Sequence, residues 1–338
     1  MIGLPVTRRV IDQMTWAASS DLAALDLPKE GWVTEIRVRI AATMSAGLTA
    51  VQPDGLRRVI QNFKIEGDGG YAFLGLAGEQ LGRLWGLCNI YDGMGNLITL
   101  QDGAAESITF VFHPGSNPKD PFDTSVVIPA SALSTFQAKW TTTANSVVDD
   151  TITISSAIGT IELDQIMNVK THAALWVPMG STRTLVHSAD ASDYSEEVDI
   201  PAGAWLRRII MLVQDETATR PVRKDDEVTA VRIKDTKTNR IMLEETWEGL
   251  KARSARLCGL QGVPFQVADT ITGHANIPDG FAIIDLRNYT GHPYGLNLIG
   301  KQTGDYKLGL TIANYTAGDD TIIYWDQVKQ IDPVFVGK

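Results

Sequence analysis

Two stretches of the chain decide its fold: Leu25–Ile36 reads LDLPKEGWVTEI and Val198–Ile209 reads VDIPAGAWLRRI. Aspartate, proline, tryptophan and the final isoleucine occupy the same places in both, so residue 25 aligns with residue 198 at an offset of 173. An internal repeat determines the architecture of a chain, and it therefore comes before any assignment of single elements.

Two further anchors repeat in the same order. Phe136–Thr141 (FQAKWT) and Tyr306–Thr311 (YKLGLT) are each followed by the letters DDTI, which begin at residues 149 and 319, an offset of 170. Cys88 and Cys258, each preceded by leucine, differ by the same amount. The period is half of the 338 residues, too long for a solenoid unit and long enough for a domain with its own core. We interpret it as a tandem duplication with domains at 1–168 and 169–338.

Each copy is rich in strand patterns. Thr34–Ile40 (TEIRVRI) alternates apolar and charged residues, which is typical of a half-buried strand. Residues 6–17 are ambiguous, because Val6, Val10, Met14 and Ala17 have helical spacing, but the aligned Ser181–Ser188 resembles a strand, which we favour for both. Further strands are predicted at Ile108–Phe112, Ser125–Ile128, Phe136–Thr143, Thr151–Ser155, Val228–Lys234, Phe281–Leu286, Tyr306–Ile312 and Thr321–Trp325.

One segment per copy has a more helical pattern, at Leu76–Cys88 and Leu243–Cys258. About eight strands with one inserted helix, and no regular alternation of strand and helix, disfavour a parallel sheet. We therefore predict an all-β protein made of two tandem eight-stranded jelly rolls, each with a short inserted helix.

Composition and charge exclude several classes of protein. A net charge of −10 and a pI near 5.0 argue against a surface that coats nucleic acid. No apolar stretch approaches the ~20 residues of a membrane span, and Met1–Val10 lacks the apolar core of a secretory signal. Two cysteines cannot form a disulfide framework. We expect folding in a reducing cytoplasm, with Cys88 and Cys258 as small apolar core residues.

The sequence predicts no catalytic, cofactor-binding or metal-binding residues. The histidines lack the pairing of metal ligands; they are His113, His172, His187, His274 and His292. A phosphate-binding G-x-x-x-x-G-K-[ST] motif and a G-x-S-x-G motif are both missing, and the glycines of Gly67–Gly70 lie between short strands. The pairs Asp149-Asp150 and Asp319-Asp320 could be proposed as glycosidase carboxylates, but adjacent residues on a strand face opposite ways. Their recurrence at the same place in both copies favours a turn-forming role instead.

Aromatic and basic residues were also candidates for binding. Trp32 and Trp205 could stack on carbohydrate, but their duplicated position favours a plug at the core or edge. Arg207-Arg208 and Arg220–Lys224 are basic spots in an acidic chain, which we interpret as solvated residues or inter-subunit salt bridges.

The duplicated LDLP-x-x-x-W / VDIP-x-x-x-W and FQAKWT…DDTI / YKLGLT…DDTI patterns give the chain an organisation that resembles the double jelly-roll major capsid proteins of adenovirus and of tailless, membrane-containing phages and archaeal viruses. The resemblance covers nearly the whole chain and is architectural. It implies a non-catalytic shell protein that forms homotrimeric, pseudo-hexagonal capsomers of an icosahedral virion, assembled in the host cytoplasm. The alternatives are a tandem β-sandwich that binds or cleaves glycans and a viral spike, tail or fibre protein.

The resemblance also implies partners. They are two further copies in the homotrimer, neighbouring capsomers, other virion proteins and an internal viral membrane, with no direct contact to nucleic acid. We expect the N-terminal segment, through Arg8 and Arg9, to face inward, so that deletion of residues 1–12 spares the trimer and impairs particle assembly.

Overall fold

The computed structural model describes residues 6–47, 55–68, 70–76, 104–117, 120, 122–149, 151–167, 174–215, 222–257, 264–267, 270–274 and 280–331. Contacts divide the chain into unit 1, Met1–Thr182 with Asp326–Lys338, and unit 2, Arg183–Trp325. A boundary of the duplication near residue 168 stays a prediction.

Among the described residues, the first part of the chain forms two four-stranded antiparallel sheets, in the orders β1-β8-β3-β6 and β2-β7-β4-β5. Successive strands change sheet, except for the β4–β5 hairpin, and this is the order of a jelly roll. The strands are β1 (Val6–Thr15), β2 (Leu25–Asp26), β3 (Trp32–Met44), β4 (Ile60–Gly67), β5 (Tyr71–Leu76), β6 (Ala105–Phe112), β7 (Phe136–Thr142) and β8 (Ile154–Ile166).

The later part repeats this topology. One sheet has the order β10-β19-β13-β14, and the other has β12-β11-β20-β9 with β17 and β18 also paired to β11. Without the short β12 and β18, the orders match those of the first eight strands. The strands are β9 (Leu175–Val186), β10 (Ala191–Asp199), β11 (Trp205–Asp215), β12 (Val222–Arg223), β13 (Val228–Asp235), β14 (Arg240–Thr246), β15 (Pro264–Val267), β16 (Thr270–His274), β17 (Phe281–Asp285), β18 (Leu296–Asn297), β19 (Tyr306–Ile312) and β20 (Asp319–Ile331).

The repeated sequence anchors pair with each other in the same register in both copies. Leu25 lies opposite Ala138, and the aligned Val198 lies opposite Leu308. One residue beyond each strand, the amide of Leu27 donates to the carbonyl of Phe136 (2.8 Å), and that of Ile200 donates to Tyr306 (3.0 Å). The anchors therefore mark one strand pair, together with the turn that leads to the next strand.

The alternating pattern of Thr34–Ile40 is confirmed on its apolar side, because Ile36, Val38 and Ile40 are buried. On the charged side the prediction holds for the exposed Arg39 and is wrong for Glu35, which is buried as well. Glu35 is held by an ion pair to Arg37, the next residue on the same face of β3.

Two predicted strands differ from the structure. Ser125–Ile128 forms only an isolated bridge between Ile128 and Val33, because Val127 instead donates its amide to Trp176. Thr151–Ser155 enters β8 only at Ile154, since the amides of Thr151 and Ile152 are bound to the side chain of Asp149.

Helices are few in the described chain. The predicted helix Leu243–Cys258 is observed as α1 (Trp247–Leu257), but Leu243 belongs to β14, where it pairs with Ile233. A short α2 (Leu286–Thr290) and two 3-10 turns (Gly55–Arg58 and Ala130–Ala132) complete the set. Leu76 ends β5, and the rest of the predicted helix Leu76–Cys88 lies outside the described residues, as does Cys258.

Strand, not helix, is confirmed for the ambiguous N-terminal segment, which forms β1 and pairs with β8 from Val6 to Thr15. The aligned segment forms β9 up to Val186. Deletion of residues 1–12 would remove most of an edge strand of the first jelly roll, which argues against the expectation that the deletion spares the trimer; that expectation stays untested.

Candidate functional site

The histidines that the structure describes lie in different surroundings. His113 is buried, with Nε2 2.7 Å from the carbonyl of Asp120, and His187 is buried in unit 2. His292 is exposed and stacks on Trp205. His172 and the side chain of His274 lie outside the described part of the chain. Within that part, no group of three or more His, Cys, Asp or Glu residues has a metal-binding arrangement.

The repeated aspartates have different roles in the two copies. Asp149 accepts hydrogen bonds from the amides of Thr151 (2.9 Å) and Ile152 (3.1 Å), which is the predicted turn-forming role. Asp319 is buried at the start of β20 and binds the ammonium group of Lys224 at 2.8 Å. Asp150 lies outside the described residues.

Each repeated tryptophan opens a strand, as predicted, and both are half-buried. The ring of Trp205 stacks on His292 with centroids 4.2 Å apart and planes 20° apart, and the ring of Tyr294 meets it edge-on. One face of the Trp205 indole is thus covered by the chain's own imidazole, which agrees with an edge plug.

A buried ionic cluster in unit 1 was not predicted. The guanidinium of Arg37 forms a fork with the carboxylate of Asp164 (2.8 and 3.0 Å) and also contacts Glu162 (3.1 Å) and Glu35. Burial raises the pKa of Glu35, although the nearby Arg37 lowers it. The cluster fastens β3 to β8 across more than 120 residues of sequence, which is a structural role.

A second buried cluster lies in unit 2. The side chains of His187 and Glu227 are both fully buried, and His187 Nε2 is 3.5 Å from Glu227 Oε1 and 2.8 Å from Thr321 Oγ1. Within the described part of the chain, neither Glu227 oxygen has a hydrogen-bond partner, nor does His187 Nδ1. The sequence carries no signal for this cluster beyond an unpaired histidine.

The electrostatics of this cluster favour uncharged forms. Burial, reinforced by the negative charge of Asp319, raises the pKa of Glu227 to about 8. Burial also lowers the pKa of His187 to about 4, against the opposite effect of Asp319. At neutral pH the pair therefore holds one proton, on the carboxyl group, because an ionised group without a partner is costly in a protein interior.

The predicted basic spots are corrected in part. Arg207 is buried within β11, so it is not a solvated residue. Lys224 is bound to Asp319 inside the same unit, and Arg220 lies outside the described residues. In the described chain, no helix has the length and the apolar character needed to cross a membrane.

Comparisons with known proteins agree with the strand order. No family model and no curated protein matches the chain. Solved structures do match it over 97% of its length. The STIV major capsid protein matches with a TM-score of 0.71, 12% identity and 98% of its own length covered.

The chain has the double jelly-roll fold. Two further structures share this double jelly roll: the PBCV-1 virus capsid, with a TM-score of 0.63, 10% identity and 94% coverage, and the major capsid protein of bacteriophage PM2, with a TM-score of 0.53, 14% identity and 98% coverage. At such identities the likeness establishes the fold, and the prediction of two tandem jelly rolls is confirmed.

Proposed function

We propose that the protein is a viral major capsid protein and a structural component of the virion, without catalytic activity. The observation that supports this most is the end-to-end likeness to the STIV major capsid protein, in which almost all of both chains is matched. Many folds host unrelated functions, so the proposal rests on the whole tandem arrangement and not on one jelly roll. The glycan-binding alternative is not favoured, because the matched structures are capsid proteins.

A homotrimer is the proposed building block. Three identical chains that contact one another head to tail close into a ring, and closure requires no second kind of subunit. Two jelly rolls per chain give six per trimer, which accounts for a pseudo-hexagonal capsomer that tiles an icosahedral shell. We propose neighbouring capsomers and other virion proteins as the remaining partners, with assembly in the host cytoplasm.

The net charge of −10 supports a shell that does not bind the genome directly, because contacts with phosphate need clustered Lys and Arg. An internal membrane is the further partner that we propose for the N-terminal segment. Since β1 pairs with β8 on one side, its outer edge is the part of the described segment that we propose for such a contact.

The test is the assembly state of the purified full-length chain. Size-exclusion chromatography with light scattering should give a single species of three times the 36.8 kDa chain mass, and electron microscopy should show particles with a hexagonal outline. A monomer at micromolar concentration would contradict the proposal. An elongated trimer without a hexagonal outline would instead favour a spike or fibre protein.

A further inference from the structure

Strand termini in unit 2 bring several ionisable groups together. His187 follows β9, Glu227 precedes β13, and Asp319 and Asp320 open β20. Asp215 at the end of β11 and Lys224 after β12 complete the set of charged groups that act on Glu227. Backbone hydrogen bonds join these segments, from His187 to Asp319 (3.0 Å) and from Ala313 to Glu227 (2.8 Å).

The hydrogen-bond donors described in this cluster bind the carboxylate of Asp319, and none of them binds the carboxyl group of Glu227. Lys224 Nζ, the amide of Thr316 (2.6 Å) and the hydroxyl of Thr316 (3.0 Å) all bind the carboxylate of Asp319. Among the residues that the structure describes, both oxygens of the fully buried Glu227 lack a hydrogen-bond partner, and His187 Nε2 lies closer to Thr321 Oγ1 (2.8 Å) than to Glu227 Oε1 (3.5 Å). An ionised Glu227 would therefore be a buried charge without a hydrogen-bond donor in the described chain, and Lys224, the cation that favours its ionised form, is already bound to Asp319.

Titration of Glu227 is coupled to the local structure through its own backbone. Its carbonyl accepts the amide of Ala313, at the beginning of the turn that leads to β20. An ionised Glu227 side chain is more stable in water than in the interior, and a movement of residues 226–228 toward water would break this hydrogen bond. The direction of the pKa of Glu227, raised by burial and by Asp319, agrees with this coupling.

We propose that the His187–Glu227 pair is a proton-operated latch, which keeps this end of unit 2 closed while it holds one proton and loosens it when that proton is lost. The latch is a property of the jelly roll itself and does not depend on the proposed role in a capsid. Through this latch, pH would control how firmly the segment around His187 and the turn before β20 are held in place.

The direction in which pH shifts the opening equilibrium follows from the titration of Glu227 and His187. In the opened form Glu227 regains its ordinary acidity, so opening releases a proton wherever the closed form still holds it, up to pH about 8. His187 acts in the opposite sense below its ordinary pKa of 6.5, because opening then takes up a proton. Opening should thus depend little on pH below about 6.5, increase about tenfold per pH unit from there to about 8, and level off above.

The experiment is amide hydrogen exchange on the full chain in its native assembly from pH 5 to 9, corrected for the intrinsic exchange rate at each pH. The amides of His187, Ala313 and Asp319 report the latch, and the amide of Ile200, which binds Tyr306, is the internal reference. Protection of the three latch amides should fall about tenfold per pH unit between 6.5 and 8. Protection of Ile200 should stay constant.

Two variants separate the latch from general charge effects. Glu227→Gln mimics the protonated carboxyl group and should abolish the fall in protection above pH 6.5. Asp226→Asn removes a charge from the exposed neighbouring residue and should behave like the unmodified protein. The proposal fails if the unmodified protein shows constant protection across this range, or if Glu227→Gln keeps its slope; the first result is decisive even if the variant does not fold.

Discussion

Gly31, within the first of the two deciding stretches, should tolerate no side chain in the turn that leads to β3. Its backbone is left-handed, with a φ of 59°. A methyl group there would overlap the carbonyl oxygen of Ile166 and lie 2.9 Å from its carbonyl carbon. The left-handed conformation alone costs an alanine about 1–2 kcal/mol, and relief of the overlap adds about 1–3 kcal/mol.

Gly203→Ala is the matched control for Gly31→Ala. Gly203 lies in the corresponding turn before β11 and is also left-handed, with a φ of 88°, but a methyl group there would meet no atom within 4 Å. We expect Gly31→Ala to destabilise its unit by about 3 kcal/mol and Gly203→Ala by about 1 kcal/mol. In scanning calorimetry each kcal/mol corresponds to about 2–4 °C in Tm for a unit of this size. Equal decreases in Tm for the two variants would refute the argument that overlap with the carbonyl of Ile166 makes Gly31→Ala the more destabilising substitution.

Two further predictions concern the edges of the sheets. Ser254→Ala removes the hydroxyl that accepts the amide of Ile283 (3.0 Å) and whose one hydrogen is shared between the carbonyls of Leu250 (2.7 Å) and Ile283 (3.0 Å), so we expect a loss of about 1–3 kcal/mol in the free energy of unfolding and faster exchange of the Ile283 amide. Chemical denaturation and hydrogen exchange test this, and an unchanged exchange rate would contradict it. Deletion of residues 1–12 removes most of β1, so we expect aggregated or partly unfolded protein by light scattering and circular dichroism; a well-folded trimer would show that β8 tolerates an open edge.

Much of the fold was predictable because local sequence and global topology agree in this chain. The alternation in Thr34–Ile40 identified a strand and its core face, and the repeated anchors turned out to be one strand pair in each copy. The secondary-structure predictions were wrong where contacts with residues distant in sequence override the local strand preference. Ser125–Ile128 has the composition of a strand and is buried at its apolar positions. However, Pro129 follows it, and the amide of Val127 donates its hydrogen bond to the carbonyl of Trp176.

The buried ionic groups could not be predicted from sequence. Arg37 and Asp164 are separated by 127 residues, so their pairing depends on the register between β3 and β8. The His187–Glu227 contact likewise joins residues from separate segments, one just after β9 and the other just before β13. A charged residue in an alternating strand is expected to face water, and only the folded neighbours reveal that Glu35 does not.

Helix α1 has a consequence for how copies of this chain can join. Strand β17 pairs with β11 on one side, and on its other side Ser254 of α1 occupies both the amide and the carbonyl of Ile283. A strand from a second molecule cannot pair with β17 at that position unless the helix is first displaced. Copies of the chain that meet at this position would contact each other through side chains. Their separation would then break no hydrogen bond between strands.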